Sequence, residues 1–205
     1  PEYKNTEFYI GYSSLRTPDS IYSVDLKNGR KKLLKQSEVK GHFEPNQYKV
    51  KRFYINGRDK TAIPVSIVYK KDTFHRGDNP IFVYGYGSYG ISMDTGFSSS
   101  RISLLDRGFI FAIAHVRGGQ ELGRQWYEDG KMLKKRNTFN DFIDVTKGLL
   151  ELGYGDGKRV YAGGGSAGGL LMGAIINLEP ELYKGIISNV PFVDIVTTMS
   201  DPSIP

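Results

Sequence analysis

The sequence has 205 residues, of which 39% are hydrophobic and 24% are charged, a composition that is typical of a folded chain and excludes an intrinsically disordered one. It contains no Cys, which excludes a disulfide framework, a thiolate metal site and a Cys nucleophile, and no apolar run approaches the ~20 residues that a membrane helix needs. The net charge of +6 is spread thinly, without the basic, aromatic-rich face of a nucleic-acid-binding protein, so we expect neither nucleic acid nor membrane as a partner.

The first part of the chain, residues 1–42, is predicted to be all-β. Strands are expected at 7–12, 20–26 and 31–36, with turns at 17–20 and at the Asn-Gly pair within 27–30. Three short antiparallel strands cannot bury a core alone, so we expect them to belong to a larger sheet assembly.

The remainder, residues 43–205, is predicted to form an α/β domain after a linker near 41–46. An antiparallel pair at 48–55 and 62–69 comes first, and from about residue 80 buried strands alternate with helices. The strands are expected at 80–84, 109–114, 159–162 and 185–190, and the helices at 99–108, 139–150 and 167–178. Such alternation indicates a parallel sheet covered by helices, and the antiparallel start predicts the doubly wound sheet of an α/β-hydrolase.

The clearest chemical signal is the segment 164–168, which matches G-x-S-x-G with Ser166 at its centre. It lies between a predicted strand and a predicted helix, which is the context of a nucleophile elbow, where a sharp turn exposes the Ser hydroxyl at a helix N-terminus. Gly163, Gly165 and Gly168 also fit G-x-G-x-x-G, so a dinucleotide-binding loop or an idle tight turn stays open at this point. Against the dinucleotide loop, at least two parallel strands precede the motif and no acidic residue ends the strand after it.

A second glycine cluster, residues 84–90, directly follows the first predicted parallel strand. In hydrolases of this architecture the loop at that position supplies part of the oxyanion hole. The backbone N–H of the residue after the nucleophile, here Ala167, supplies the other donor. We expect Tyr84 and Tyr89 to serve packing.

Several blocks of the sequence resemble, in this order, the prolyl oligopeptidase family of serine peptidases, and within it the branch that cleaves after basic residues. The blocks are residues 86–90, 104–108, 115–123, 126–131, 137–142, 164–169 and 191–199. The resemblance covers essentially the whole chain. It implies that residues 1–42 are the end of a β-propeller domain and that residues 43–205 are the N-terminal part of an α/β-hydrolase catalytic domain.

The resemblance also implies roles for individual residues. Ser166 matches the nucleophile, Ala167 the backbone N–H donor, and Tyr86 the residue whose hydroxyl completes the oxyanion hole. Asp94 matches an acidic residue of a substrate-binding loop, although Gly96 stands where some relatives carry a second. The implied function is hydrolysis of short peptides, after Arg or Lys, through an acyl-enzyme on Ser166, with no cofactor and no metal. The alternatives are a prolyl-, dipeptidyl- or acylaminoacyl-peptidase, an esterase, or a non-catalytic α/β module.

The sequence offers no evident base for this chemistry. The triad order in α/β-hydrolases is Ser, acid, His, and none of the 39 residues after Ser166 is His. His42 and His75 are expected to be exposed, and His115, at the end of a strand, could line the cleft but is not expected to be the base. Asp194 is expected to be a scaffold residue. We expect the triad Asp and His to lie beyond this chain, which reads as a piece of a longer cytoplasmic protein and should be inactive alone.

Overall fold

The computed structural model describes residues 4–204, so the outermost residues of the two predicted domains, 1–3 and 205, lie outside the described part. The first of its two sheets is antiparallel, in the order β1-β2-β3. The strands are β1 at Glu7–Ser14, β2 at Thr17–Asp25 and β3 at Lys31–Gln36. Every side chain of β3 is exposed, so this sheet buries little apolar surface by itself.

The turn predicted at 17–20 is wrong, because those residues belong to β2. The chain reverses at 15–16 instead, where the Thr17 backbone N–H donates to the Ser14 hydroxyl at 3.1 Å. Leu15, at the tip of this turn, is buried in a core that it shares with the second sheet. The first sheet is therefore held against the second through its turn.

The second sheet has six strands in the order β4-β5-β7-β6-β8-β9. They are β4 at Tyr48–Asn56, β5 at Ala62–Lys70, β6 at Ile81–Tyr84, β7 at Ile110–Ala114, β8 at Val160–Gly165 and β9 at Gly185–Asn189. The pairs β4/β5 and β5/β7 are antiparallel, whereas β6/β7, β6/β8 and β8/β9 are parallel. The predicted antiparallel start and parallel continuation are confirmed.

Two apolar cores flank the second sheet, one on each face. Along β7, Ile110, Ala112 and Ala114 belong to one core, and Phe111 and Ile113 belong to the other. This is the alternation of a strand with both faces buried. Such a strand needs a layer of further residues on each side.

Helices supply much of that cover. They are α1 at Ser99–Asp106, α2 at Arg124–Glu128, α3 at Arg136–Glu151, α4 at Ala167–Leu178 and α5 at Ile195–Ser200. Phe142 of α3 and Leu171 of α4 are buried in one core, and Leu105 of α1 is buried in the other. The α/β fold class, with helices on both faces of a doubly wound sheet, is confirmed. Helices α2 and α5 were not predicted.

Candidate functional site

The turn between β8 and α4 has the geometry of a nucleophile elbow. Ser166 joins the strand to the helix with φ 54° and ψ −115°, a backbone conformation that residues other than Gly rarely adopt. Its backbone N–H donates to the Asn189 carbonyl at 3.0 Å, and its carbonyl accepts from the N–H groups of Gly169 at 2.9 Å and Phe192 at 3.1 Å. These bonds hold the strained residue from both sides, and the side chain of Ser166 is exposed.

Two of the glycines around Ser166, Gly164 and Gly168, are required by close approach of the backbone. A Cβ on Gly168 would lie 2.8 Å from the Gly85 carbonyl oxygen, and a Cβ on Gly164 would overlap the Gly168 carbonyl. The space that these missing side chains leave is thus filled by the chain itself. This packing explains both glycines without a bound phosphate.

The first N–H of α4 belongs to Ala167, whose side chain is buried. Within residues 4–204 the structure records no acceptor for this N–H, because the first N–H groups of a helix have no partner inside it. The N-terminus of a helix carries partial positive charge. An oxygen that becomes negative beside Ser166 would therefore meet a free donor.

Tyr86 lies beside this helix start. It follows β6, and the Gly85 N–H donates to the Gly163 carbonyl of β8 at 3.2 Å, which extends the pairing of the two strands. A Cβ on Gly168 would lie 3.4 Å from both Cα and Cδ2 of Tyr86. The carboxyl ends of the adjacent parallel strands β6 and β8 thus bring Tyr86 to the elbow.

The phenol of Tyr86 keeps its proton at neutral pH. Partial burial, and to a smaller extent the neighbouring phenols of Tyr89 and Tyr84, raise its pKa above the ordinary value of 10.0, while the nearby Ser166 hydroxyl opposes the rise. The Tyr86 hydroxyl is therefore a neutral O–H donor within reach of Ser166.

A buried ion pair fixes the segment that supports the Tyr86 loop. The Arg117 backbone N–H and Nε each donate to Asp141 Oδ2 at 2.9 Å, and Nη2 donates to Oδ1 at 2.5 Å. Gly118 then packs directly against the Gly87 carbonyl, leaving no room for a Cβ. This pair was not predicted from the sequence, although both residues lie in blocks that carried the family resemblance.

His115 is buried and does not line a cleft, contrary to the possibility raised from the sequence. Its side chain is 1% exposed, with Nε2 2.9 Å from Ser66 Oγ and Nδ1 3.4 Å from Glu121 Oε1. Ser66, His115 and Glu121 resemble a catalytic triad in residue type, but all three side chains are buried. His42 and His75 are exposed, as predicted.

The two acidic candidates are in different settings. Asp94 is exposed in a segment without regular structure, and its role in substrate binding stays a prediction. Asp194 caps α5, where its carboxylate accepts from the Thr197 N–H at 3.2 Å.

Among the described residues, no group of three or more potential metal ligands occurs. No helix within residues 4–204 is both long and apolar enough to cross a membrane.

Comparison with known proteins adds relatives along the whole chain. The sequence model of the prolyl oligopeptidase family matches residues 95–205. Dipeptidyl aminopeptidase BI of Pseudoxanthomonas mexicana is 52% identical over 100% of this chain and 28% of its own length, and Protease 2 of Moraxella lacunata is 45% identical over 99% of this chain and 29% of its own length.

Solved structures also resemble this chain along nearly its whole length. Oligopeptidase B from Leishmania major has a TM-score of 0.90 and 48% identity, covering 100% of this chain and 28% of that one. Oligopeptidase B from Trypanosoma brucei, solved with covalently bound antipain, has a TM-score of 0.90 and 45% identity, covering 99% of this chain and 29% of that one. The chain thus spans less than a third of the length of these relatives.

Proposed function

The chain belongs to the prolyl oligopeptidase family, and from that premise we propose that it carries the nucleophile and the oxyanion hole of a serine oligopeptidase that cleaves short peptides after Arg or Lys. The observation that carries the proposal is the strained, exposed Ser166 beside the free N–H of Ala167 and the protonated phenol of Tyr86. A nucleophile with hydrogen-bond donors for the oxyanion beside it is what acyl transfer requires.

In the proposed reaction, Ser166 Oγ attacks the peptide carbonyl carbon and gives its proton to a base. The carbonyl oxygen becomes negative and accepts hydrogen bonds from the Ala167 N–H and the Tyr86 O–H. The amine leaves with a proton from the same base, and water then releases the acyl group from Ser166.

The base of the proposed reaction is not among the histidines of this chain. His42 and His75 are exposed outside the elbow, and the ring of His115 is buried against Ser66. The proposal therefore places the triad His and its acid outside residues 1–205. In the same proposal, residues 1–42 end a β-propeller domain, residues 43–205 begin the catalytic domain, and Asp94 contacts the substrate.

The preference for Arg or Lys is supported by the likeness to oligopeptidase B structures. A second candidate, removal of dipeptides from a free N-terminus, is favoured by the name of the relative with 52% identity. We propose a cytoplasmic location on the absence of Cys alone.

The nucleophile is tested by labelling the protein, expressed from its complete gene, with a fluorophosphonate probe. We expect Ser166→Ala to abolish labelling, and Ser92→Ala, an exposed Ser in the Asp94 segment, to retain it. Labelling that survives in Ser166→Ala would show that another residue is the nucleophile.

Substrate preference is tested with chromogenic peptides that end in Arg, Lys or Pro, each with a blocked and with a free N-terminus. Faster cleavage of the blocked Arg and Lys peptides supports the oligopeptidase. Cleavage restricted to dipeptides with a free N-terminus would support the second candidate, and a preference for the blocked Pro peptide would reject both.

A further inference from the structure

The loop that carries Tyr86 is held by a lysine from another part of the chain. Lys135, immediately before α3, donates from Nζ to the Gly87 carbonyl and, at 2.8 Å, to the Ser88 hydroxyl. These partners lie 48 and 47 residues earlier in the sequence. A single ammonium group thus joins the start of α3 to the two residues that follow Tyr86.

Lys135 differs from the other lysines of its segment. Lys131 pairs with Glu128 at 2.6 Å and Lys134 pairs with Asp129 at 2.7 Å, both at the surface. For Lys135, the structure records no ion pair with the acidic groups of residues 4–204, and its partners are a carbonyl and a hydroxyl. Burial lowers its pKa to about 8. Burying a cation beside neutral acceptors costs free energy, so a contribution to stability does not explain the position of Lys135.

The group that Lys135 holds is closely constrained. Gly87 has a φ of +69°, and a Cβ there would overlap the side chain of Thr138 and lie 2.7 Å from that of Val116. The Gly90 N–H donates to the Gly118 carbonyl at 3.0 Å. The Gly87 carbonyl belongs to the second peptide group after Tyr86, so the hydrogen bond from Lys135 restrains the chain close to the residue that carries the phenol. A hydrogen-bond donor helps a transition state only when it is held within about 0.5 Å of its working position.

We propose that Lys135 is a positioning residue for the oxyanion hole, which holds the Gly87 carbonyl and the Ser88 hydroxyl so that the Tyr86 phenol stays over Ser166. This inference rests on the proposed function, because it requires Tyr86 to donate to the oxyanion. Lys135 itself does not touch the substrate in this proposal.

The test compares kcat and KM of the protein expressed from its complete gene, on one blocked chromogenic peptide. Lys135→Met removes the charge and the donors but keeps the length of the side chain. Because a complete oxyanion donor is worth ~10²–10³ in rate, we expect loss of its positioning to lower kcat about 10-fold or more, with KM changed by less than about 3-fold. The matched control is Lys134→Met, one residue away and 57% exposed, which should leave both constants unchanged.

A double-variant comparison separates positioning from a merely structural role. In a Tyr86→Phe background, Lys135→Met should lower kcat no further, because the hydroxyl that it positions is already gone. Losses that multiply in the double variant, or a change confined to KM, would overturn the proposal. Ser88→Ala, which removes one acceptor and leaves Lys135 intact, gives a second test if Lys135→Met does not fold. It should lower kcat in the parent protein and have no effect beside Tyr86→Phe.

The same measurements distinguish failure of this inference from failure of the proposed function. If Ser166→Ala and Tyr86→Phe each retain full activity, the proposed function is wrong. If both lose activity while Lys135→Met and Ser88→Ala do not, only the positioning role is wrong.

Discussion

Asp141→Asn is expected to lower the free energy of unfolding by about 3 kcal/mol. The Asp141 side chain is 1% exposed and that of Arg117 is 8% exposed, so the substitution leaves a buried guanidinium facing a neutral amide. Removing one partner of a buried ion pair typically costs about 3–5 kcal/mol. The lower end applies here because Asp59 still lies 2.8 Å from Arg117 Nη1, although it is 42% exposed.

A second Arg–Asp pair, whose Asp also lies on α3, provides the control. Arg58 binds Asp144 with two guanidinium nitrogens, at 2.7–3.1 Å, in nearly the same arrangement, but the Arg58 side chain is 48% exposed and that of Asp144 is 12% exposed. Exposed ion pairs contribute only about 0–1 kcal/mol. Asp144→Asn should therefore cost less than about 1 kcal/mol.

Both variants can be compared by urea unfolding followed by circular dichroism, on the protein expressed from its complete gene. We expect a clear separation of the two midpoints, with Asp141→Asn well below Asp144→Asn. Equal losses in the two variants would refute the argument that burial determines the contribution of the Arg117–Asp141 pair. Peptidase activity of Asp141→Asn should also fall, since this pair supports the Tyr86 loop.

Tyr86→Phe should lower kcat on a chromogenic peptide by about 10²-fold with little change in KM, whereas an unchanged kcat with a rise in KM would indicate a substrate-binding role instead. Gly168→Ala should lower stability by about 1–3 kcal/mol and reduce activity, because its new Cβ meets a carbonyl at 2.8 Å, and wild-type thermal stability would contradict this. Although burial acts in the opposite direction, hydrogen bonds from Lys70 and Tyr48 lower the pKa of Asp106 in the folded state. The stability from this shift is present above the unfolded pKa of about 4 and is lost as pH falls through the lower folded value. Asp106→Asn should therefore make the free energy of unfolding fall less steeply as pH is lowered, which unfolding followed by circular dichroism at a series of pH values would measure.

Local sequence signals predicted the elements that frame the site. Helix α4, at Ala167–Leu178, has the predicted bounds, because a glycine-rich strand end precedes it and an apolar run continues to Pro180. The prediction of a turn at 17–20 was wrong, although Pro-Asp-Ser is typical of turns. The chain turns earlier, where the Ser14 hydroxyl accepts a backbone hydrogen bond, and Pro18 lies within β2. Helix α2 has only five residues, too few for a periodic pattern.

The contacts that support the Tyr86 loop could not be predicted from the sequence. Arg117 meets Asp141 across 24 residues, and Lys135 meets Gly87 across 48. Neither separation has a local period, because each depends on how α3 packs beside the ends of β6 and β7. The elbow was found because its glycines, its Ser and its helix are contiguous. Its supporting contacts required the tertiary structure.

The backbone conformation of Ser166 sets chemistry against stability. At φ 54° a Gly would relieve strain of about 1–3 kcal/mol, so the fold would be more stable without the side chain that we propose performs catalysis. Random substitution selected for heat resistance alone would then favour Gly at this position. The resulting protein would be more stable but would lack the proposed nucleophile. The presence of Ser at position 166 is therefore itself a sign of selection for activity, as expected where function and stability compete for one residue.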